Sequence, residues 1–397
     1  MATMKPAYLR IALSHYSETR LVVILAFFVS SFSTLRSQDV SKKTTAQFLH
    51  DHFKFNVQRT DDKWIIHARE GGIEQADLLE AVPFIVKLGG ITHLNLVRSR
   101  ITSWSPLKAV AGLQYLDVSY VTRAKLSDIG SLGALEALEI KYWEDLDSLN
   151  GLVELKGLRM LKLNGCLRLA NIDALLHLKA IVSLDLSSCL DLTRVDGLRE
   201  SRALQELSLA NCELLKDISG LSNARALRSL NLSNCRALAD ISFLQKLQTL
   251  VALDLSGCGH ITNIGSLKGL VALQELKLSF LPEEAQNPAV VKGLTALRRL
   301  DIGYWDTLKD LSMLGDLRAL RVLDLTRADM LVDLHGLEKL NGLTDLSLLG
   351  CKSLKKVSVL GDLSSLQTLD LRGCAGVPSE MIAELKRRLP GCAIESD

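Results

Sequence analysis

The stretch LQELSLANCELLKDISGLSNARA (204–226) contains one complete unit of a repeat that runs through most of the chain. Leucines occupy its first, fourth and sixth positions, a cysteine occupies the ninth, and apolar residues then follow at every third position. The cysteines recur at intervals of 23 residues, at Cys166, Cys189, Cys212, Cys235 and Cys258, and again at Cys351 and Cys374. A fixed period of this length over many units predicts a solenoid.

The spacing of the apolar residues predicts the shape of each unit. In the motif L-x-L the side chains alternate between two faces, so both leucines of a short strand point to the same side. The later apolar residues, three positions apart, suit a 3₁₀ or irregular return path. One unit cannot bury its leucines alone, whereas stacked units bury them against each other and form a parallel sheet along one side.

About 13 units fit this pattern between Leu88 and Val377. At about 4.8 Å per strand, the inner edge of the sheet is roughly 60 Å long. The cysteine position accepts other residues without loss of the period: Trp143, Leu281, Trp305 and Ala328 hold it, as do Ser99 and Val121 in 22-residue units.

The L-x-x-L-x-L-x-x-C units resemble leucine-rich repeats, and the resemblance covers about three quarters of the chain. It implies an α/β horseshoe with the parallel sheet on the concave face, a 3₁₀ or irregular convex side and a cap at each end. The cysteine-bearing form LDLSGCGHITNIGSL (253–267) is similar to kinetoplastid leucine-rich-repeat proteins, some of which are tied to surface-antigen expression sites. The RING-type Cys/His cluster that some of those proteins carry is absent from this sequence.

The segments that flank the solenoid (88–377) are expected to cap it. Residues 39–87 form the predicted N-terminal cap, a hairpin within 53–70 that turns at Asp61-Asp62, followed by a helix over 73–88. Residues 378–397 form the predicted C-terminal cap, a helix with Ser379 as its N-cap and an edge strand at 392–394.

Residues 1–38 are predicted to be a targeting or signal segment, because they are basic, contain one acidic residue and include the apolar run Leu21–Val29. The scarcity of acids and the many serines favour a mitochondrial presequence cleaved between Ser31 and Ser41. The apolar run and the small residues of 31–33 suit a secretory signal, which would place the protein in the secretory pathway or at the cell surface. An uncleaved anchor or an unstructured tail is the third possibility, although the run is too short for a stable membrane span.

The cysteine column, defined as the seven repeat cysteines, bears on the compartment. Each of these cysteines faces the core at the end of a strand, where a free thiol packs as a small apolar group. Parallel side chains are poorly aimed for disulfides, so we expect free thiols, which suit a reducing compartment.

The sequence shows no catalytic or metal-binding motif. It contains no Walker motif, G-x-G-x-x-G, H-E-x-x-H or C-x-x-C, and its closest cysteines, Cys374 and Cys392, lie 18 residues apart. We therefore expect no enzyme activity, no cofactor, no metal site and no small-molecule substrate. The favoured function is a non-catalytic scaffold for a protein partner, with a mitochondrial complex as its expected setting, and the rival is a secreted or surface recognition protein.

The predicted binding surface is the concave face with its edge. Outward positions of the strands hold ten acids and five basic residues, which disfavours binding of a phosphate backbone there. RNA association through Lys386, Arg387 and Arg388 is the less favoured alternative. The predicted partner-binding residues are two aromatic pairs, with two aspartates that could meet a basic partner: Tyr120, Tyr142, Phe280, Tyr304, Asp117 and Asp301.

Each of these residues also has a purely structural interpretation. The aspartates could simply solvate the sheet, and the aromatic residues could cover the neighbouring tryptophans. The segment 281–294, which adds one residue and two prolines to its unit, is interpreted either as a tolerated outer insertion or as a partner-specific loop.

Overall fold

The fold is a single sheet wound into a solenoid, seen in a computed structural model that describes residues 38–53, 55–60, 63–121 and 124–397. Its 16 strands lie side by side in chain order, so every strand pairs only with the strands before and after it. The first two strands, β1 (Phe55–Thr60) and β2 (Lys63–Ala68), form an antiparallel hairpin. All later pairings are parallel, beginning with β3 (Ile91–Asn95) on β2.

One strand arises from each predicted unit, because the two leucines of L-x-L are drawn to the core and the residue between them is left outside. The leucines are in register along the sheet, and Leu253 pairs with Leu230 on one side and with Leu276 on the other. The remaining strands are β4 (Tyr115–Asp117), β5 (Ala137–Glu139), β6 (Met160–Lys162), β7 (Ser183–Asp185), β8 (Glu206–Ser208), β9 (Ser229–Asn231), β10 (Ala252–Asp254), β11 (Glu275–Lys277), β12 (Arg299–Asp301), β13 (Val322–Asp324), β14 (Asp345–Ser347), β15 (Thr368–Asp370) and β16 (Ala393–Glu395). Strands β3 to β15 account for the 13 units, so the predicted fold class is confirmed.

The convex side consists largely of short 3₁₀ turns, since apolar residues at every third position fit three residues per turn. Representative turns are Asp196–Leu198, Ser219–Leu221 and Ser242–Lys246. One unit departs from this pattern and has a short α-helix, which we number α3 (Leu126–Ile129) because two helices precede it. The leucines and isoleucines of sheet and turns form one continuous buried core.

The amino-terminal end contains one helix that the sequence did not predict. Helix α1 (Gln38–His52) packs against α2 (Gln75–Leu88), and the rings of Phe48 and Phe84 lie 4.7 Å apart. The predicted hairpin and the helix that follows it are present. The predicted turn residues, Asp61 and Asp62, lie outside the described residues, as does the leader up to residue 37.

At the carboxyl-terminal end, helix α4 (Ser379–Arg388) precedes β16, which extends the sheet by one parallel strand as predicted. The prediction that Ser379 is the N-cap is wrong. Ser379 is the first helical residue, and Pro378 before it supplies the extended backbone that starts the helix.

Within the described ranges, no helix combines the length and the apolar character that a membrane span requires.

Candidate docking surface on the carboxyl rim

Every unit turns sharply after its strand, because one residue there adopts a left-handed backbone conformation. This residue stands directly before the cysteine position, and its φ lies between 56° and 79° in all 13 units. We call the edge formed by this residue and the few after it the carboxyl rim (for example 142–147 and 304–310). Residues that tolerate left-handed geometry fill the position in many units, namely Gly165, Gly257, Gly350, Gly373, Asn211 and Asn234.

The four predicted aromatic residues occupy this left-handed position. Tyr120 and Tyr142 hold it in consecutive units, as do Phe280 and Tyr304. A bulky side chain in this conformation is strained by about 1–3 kcal/mol. Because glycine or asparagine makes the same turn elsewhere, the turn itself does not require an aromatic ring.

The structure brings each predicted pair into a stack. The Tyr120 and Tyr142 ring centroids lie 4.6 Å apart, and those of Phe280 and Tyr304 lie 3.9 Å apart. An arginine of the neighbouring unit extends each stack. The guanidinium of Arg98 lies 5.4 Å from the centroid of Tyr120, and that of Arg327 lies 5.8 Å from Tyr304. We call these the N-terminal stack (Arg98, Tyr120, Tyr142) and the C-terminal stack (Phe280, Tyr304, Arg327).

The unit that follows the N-terminal stack accommodates the last ring. A Cβ atom at Gly165 would come within 2.5 Å of the Tyr142 ring. Glycine therefore lets Tyr142 lie flat over the next turn, in addition to meeting the left-handed requirement. The outer ring faces remain accessible, since Tyr142 is 45% exposed and Phe280 is 55% exposed, whereas Tyr304 is half-buried.

Exposed apolar side chains concentrate on the same rim. Among the described residues, twelve large apolar side chains are exposed, and eight of them lie on the carboxyl rim: Tyr120, Tyr142, Leu167, Leu190, Leu214, Phe280, Met330 and Val332. Clustering of this kind marks an interaction surface, whereas isolated exposed leucines do not.

The two predicted aspartates do not serve as exposed anchors. Asp117 is only 5% exposed, and its Oδ1 accepts hydrogen bonds from Ser119, at 3.0 Å from the backbone nitrogen and 2.6 Å from Oγ. Its proposed pairing with a basic partner is therefore wrong, because its carboxylate is buried and already bonded. The carboxylate closes an Asx turn at the end of the strand.

The same Asx turn recurs along the sheet. Asp185 accepts from the backbone nitrogen of Ser187, and Asn231 from that of Ser233, each at 2.9 Å. Asp301 accepts from Gly303 at 3.0 Å and from Ser279 Oγ at 3.1 Å. Burial, together with the repulsion of Asp324 and Asp254, outweighs these bonds and raises the pKa of Asp301. The middle aspartates thus shape the strand ends, which neither interpretation of the sequence foresaw.

The unusual segment 281–294 supports the C-terminal stack. It forms two 3₁₀ turns, Glu283–Ala285 and Pro288–Val291, and it buries Gln286. The Gln286 amide donates to the carbonyl oxygens of Leu281 at 2.9 Å and of Tyr304 at 3.3 Å. Its Oε1 accepts from Thr307 Oγ1 at 2.9 Å. The segment is therefore bonded to the unit that carries Tyr304.

The cysteine column lies directly beneath the rim and is buried throughout. Each thiol donates to a backbone carbonyl 26 residues earlier, for example Cys235 to Leu209 at 3.2 Å and Cys258 to Leu232 at 3.1 Å. Trp305 donates from its indole to the carbonyl oxygen of Leu278 at 2.9 Å in the same way, and Trp143 is also buried. Burial raises the pKa of these thiols, to about 11 for Cys166 and about 12 for Cys258.

A charged cluster on the concave face adjoins the N-terminal stack. Glu139 is buried and bonds Lys141 at 2.6 Å and Lys162 at 3.1 Å. Burial alone would raise the pKa of Glu139, but the hydrogen bonds from the two lysines hold it below its usual value. Burial and the nearby carboxylates of Glu139 and Asp117 raise the pKa of Tyr115. With both Glu139 oxygens engaged, this cluster orders the sheet and offers no free base.

The remaining predicted cationic site is exposed, and its two arginines are paired within the chain. Arg387 pairs with Glu384, and Arg388 pairs with Asp362 at 2.5 Å. Within the described part of the chain, no group of three His, Cys, Asp or Glu side chains is placed to hold a metal ion.

Two family models match the repeat itself. A model of two leucine-rich repeats matches residues 202–246, and a model of one leucine-rich repeat matches residues 246–266. The chain therefore contains leucine-rich repeats, and they wind into a leucine-rich-repeat solenoid. Leucine-rich repeats typically form scaffolds for protein interaction and are generally non-catalytic.

Solved leucine-rich-repeat structures share the architecture of this solenoid. A leucine-rich-repeat protein of Leptospira interrogans is 19% identical with a TM-score of 0.70, over 81% of this chain and 87% of that one. An internalin of Listeria monocytogenes is 22% identical with a TM-score of 0.56, over 74% of this chain and 94% of that one. At such identities the likeness establishes the fold alone. No curated protein matches the sequence.

Proposed function

We propose that this leucine-rich-repeat protein is a non-catalytic scaffold that holds a protein partner along its carboxyl rim, with the two stacks as anchors. The observation that carries the proposal is the choice of residues at the left-handed position. Four units place a strained aromatic ring where glycine or asparagine suffices, and three of these rings, Tyr120, Tyr142 and Phe280, belong to the main concentration of exposed apolar side chains. Strain that the fold does not need is typical of a binding site.

The geometry favours a partner that spans a long surface. Tyr142 and Phe280 stand six units apart along the rim, which is about 30 Å at the spacing of parallel strands. Leu167, Leu190 and Leu214 extend the apolar surface from the N-terminal stack towards the centre. Aromatic anchors joined by smaller apolar contacts are the usual composition of a protein interface.

The test replaces one ring of each stack with asparagine, in the variant Tyr142→Asn/Tyr304→Asn. Asn211 and Asn234 already occupy this left-handed position, so the backbone accepts the change. Loss of a ring stack lowers the stability of the fold by about 1 kcal/mol, and relief of the backbone strain raises it by a similar amount. The melting temperature should therefore change little. Retention of the main protein partner by the tagged full chain should fall by about tenfold or more.

The matched control removes two exposed apolar side chains that lie off the rim, in the variant Leu79→Asn/Val271→Asn. It should retain the partner as the native chain does. Loss of the partner from the control but not from the tyrosine variant would reject the rim as the docking surface.

The compartment is a further part of the proposal. The seven buried thiols and the scarcity of acids in residues 1–38 support a reducing compartment reached by a mitochondrial presequence. The narrower similarity to kinetoplastid leucine-rich-repeat proteins rests on the sequence of the units. Imaging of the tagged protein tests the location, and detection of Met1 in the native protein would refute cleavage of the leader.

A further inference from the structure

The edge opposite the carboxyl rim carries a column of basic side chains. We call it the amino rim, the residues that lead into each strand (for example 156–159, 179–182, 202–205 and 225–228). Four consecutive units place a basic residue at the same position of this rim, namely Lys156, Lys179, Arg202 and Arg225, and all four are exposed. Arg159 and Arg228, also exposed, stand directly before β6 and β9.

These cations differ from those of the carboxyl rim in their partners. On the carboxyl rim Arg168 pairs with Asp145 at 3.8 Å, Arg236 pairs with Glu213 at 3.9 Å, and Arg194 pairs with Asp196. On the amino rim Arg159, Arg202, Arg225 and Arg228 form no ion pair with any described residue. Acids near these cations are few: the exposed Glu136 precedes β5 as Arg159 precedes β6, and Glu154 and Glu200 meet Lys156 and Lys179 at 3.4 Å and 4.0 Å.

Stacking like charges in adjacent units is unfavourable for the fold. Equivalent positions of neighbouring units are about 4.8 Å apart, so the four cations repel one another in the absence of an anion. A row of exposed cations with few carboxylates beside it contributes a positive field and little stability. The overall charge of +2 conceals this field, because the concave face and the carboxyl rim carry many of the acids.

The surface beside the column lets an extended chain approach closely. The residue after each cation is small, at Gly157, Ala180, Ala203 and Ala226. The column and Arg159 and Arg228 therefore border a shallow strip floored by small side chains. Large exposed apolar residues are missing from these four units of the amino rim among the described residues, so the strip offers no anchor for a folded protein.

We infer that the amino rim around Lys156, Arg159, Lys179, Arg202, Arg225 and Arg228 binds a single-stranded nucleic acid through its phosphate backbone. Guanidinium groups bind phosphate oxygens in a bidentate manner, and a regular row of them matches a polymer with one negative charge per repeat. Contacts to phosphates carry no sequence information, and the strip has no aromatic side chain on which a base could stack, so binding should be independent of sequence. The amino rim lies on the edge opposite the carboxyl rim, so both rims can be occupied together.

The experiment measures binding of a fluorescent oligouridylate of about 20 nucleotides to the full chain by anisotropy. If about four phosphates are neutralised, the slope of log Kd against log salt should be close to 3. The variant Arg202→Gln/Arg225→Gln/Arg228→Gln should weaken binding by about 10-fold to 100-fold at low salt and flatten the salt slope. Far-ultraviolet circular dichroism and the melting temperature should stay native, because the three side chains are exposed and unpaired.

The matched control neutralises three arginines of the carboxyl rim, Arg168→Gln/Arg194→Gln/Arg236→Gln. It should bind the oligonucleotide within about twofold of the native chain, because those cations are already paired. Equal losses in both variants, or no binding at low salt, would overturn the inference. Tighter binding to poly-glutamate of equal charge, or to vesicles rich in phosphatidylserine, would also overturn it, because the surface would then select an acidic protein or a membrane.

Discussion

A left-handed residue follows each of the repeat strands β3 to β15, and its side chain varies from unit to unit more than the turn requires. Glycine and asparagine reveal the geometry in the sequence, since Gly165, Gly257, Gly350 and Gly373 recur directly before the cysteine position. The same periodicity made Tyr120, Tyr142, Phe280 and Tyr304 predictable as neighbours. Their left-handed φ and their stacking on Arg98 and Arg327 depend on side-chain directions that spacing alone does not encode.

At the residue scale, the alternation of side chains along a strand does not predict that the carboxylates of Asp117 and Glu139 are buried. Alternation along a strand predicts that Asp117 and Glu139 point outward, and they do so from the sheet. Their burial depends on what stands beside them, namely Ser119 for the first and the lysines 141 and 162 for the second. Ser119 and Lys141 lie two residues further along the same unit, whereas Lys162 comes from the adjacent unit. A short polar side chain at a strand end can serve the backbone or a ligand equally well.

The cysteine column should make stability sensitive to alkaline pH. Burial raises the folded-state pKa, to about 11 for Cys166 and about 12 for Cys212 and Cys258, above an ordinary value near 9. An acid whose pKa is raised by folding stabilises the fold fully below its unfolded pKa. That stability is lost as the pH rises from about 9 towards the folded pKa, by about 1.4 kcal/mol per thiol and pH unit.

Urea unfolding at a series of pH values checks this expectation. The variant Cys189→Ala/Cys212→Ala should lose stability less steeply above pH 9, and alanine is accepted because Ala328 fills the same position in another unit. An unchanged pH dependence in the variant would contradict the assignment to the thiols. In the native chain Cys392, which is only half-buried, should be alkylated before the seven column cysteines.

At the scale of elements, the sequence predicts every repeat strand, but at the amino-terminal end it misses helix α1. Each repeat strand is specified many times over, because a slip by one residue would expose both of its leucines. Helix α1 has no repeat to support its prediction, and its placement depends on contacts such as that of Phe48 with Phe84. The 3₁₀ turns of segment 281–294 likewise depend on Gln286, a residue whose bonding is not visible in the periodicity.

Gln286 provides a prediction for this segment. The variant Gln286→Ala leaves the carbonyl groups of Leu281 and Tyr304 without their side-chain donor, which should lower the free energy of unfolding by about 1–3 kcal/mol. Because the bond to Tyr304 is lost, partner retention through the C-terminal stack should also weaken. Denaturant unfolding and co-purification measure the two effects.

Gln245 supplies the comparison, since it is an exposed glutamine of a regular unit. The variant Gln245→Ala should leave stability and partner retention unchanged. Equal effects of the two substitutions would show that segment 281–294 is a passive insertion.

At the scale of the whole molecule, the charges are arranged by edge. The carboxyl rim combines apolar anchors with acids, whereas the amino rim carries unpaired arginines. The composition predicted a nearly neutral chain, and only the winding of the units sorts its charges onto opposite edges. A scaffold of this kind could hold two chemically different partners on two edges of the same turns.

The core leucines set the stability of the array. Leu232 is fully buried, and Leu232→Ala should lower the free energy of unfolding by about 2–5 kcal/mol because it removes contacts and leaves a cavity. The conservative variant Leu232→Met should cost less than about 1.5 kcal/mol. Equilibrium unfolding of both variants tests this, and similar costs for the two would mean that the cavity is not the cause.

The strictly sequential pairing of the 16 strands has a mechanical consequence. Hydrogen bonds between strands run along the axis of the solenoid, so tension applied to its two ends pulls on them lengthwise and reaches each turn separately. When one turn of the solenoid unfolds, it exposes only the next turn. Each unfolded turn releases 23 residues, which lengthen the chain by about 80 Å. Under load the molecule would lengthen in even steps like an uncoiling spring, and any turn clamped by a bound partner would be the last to give way.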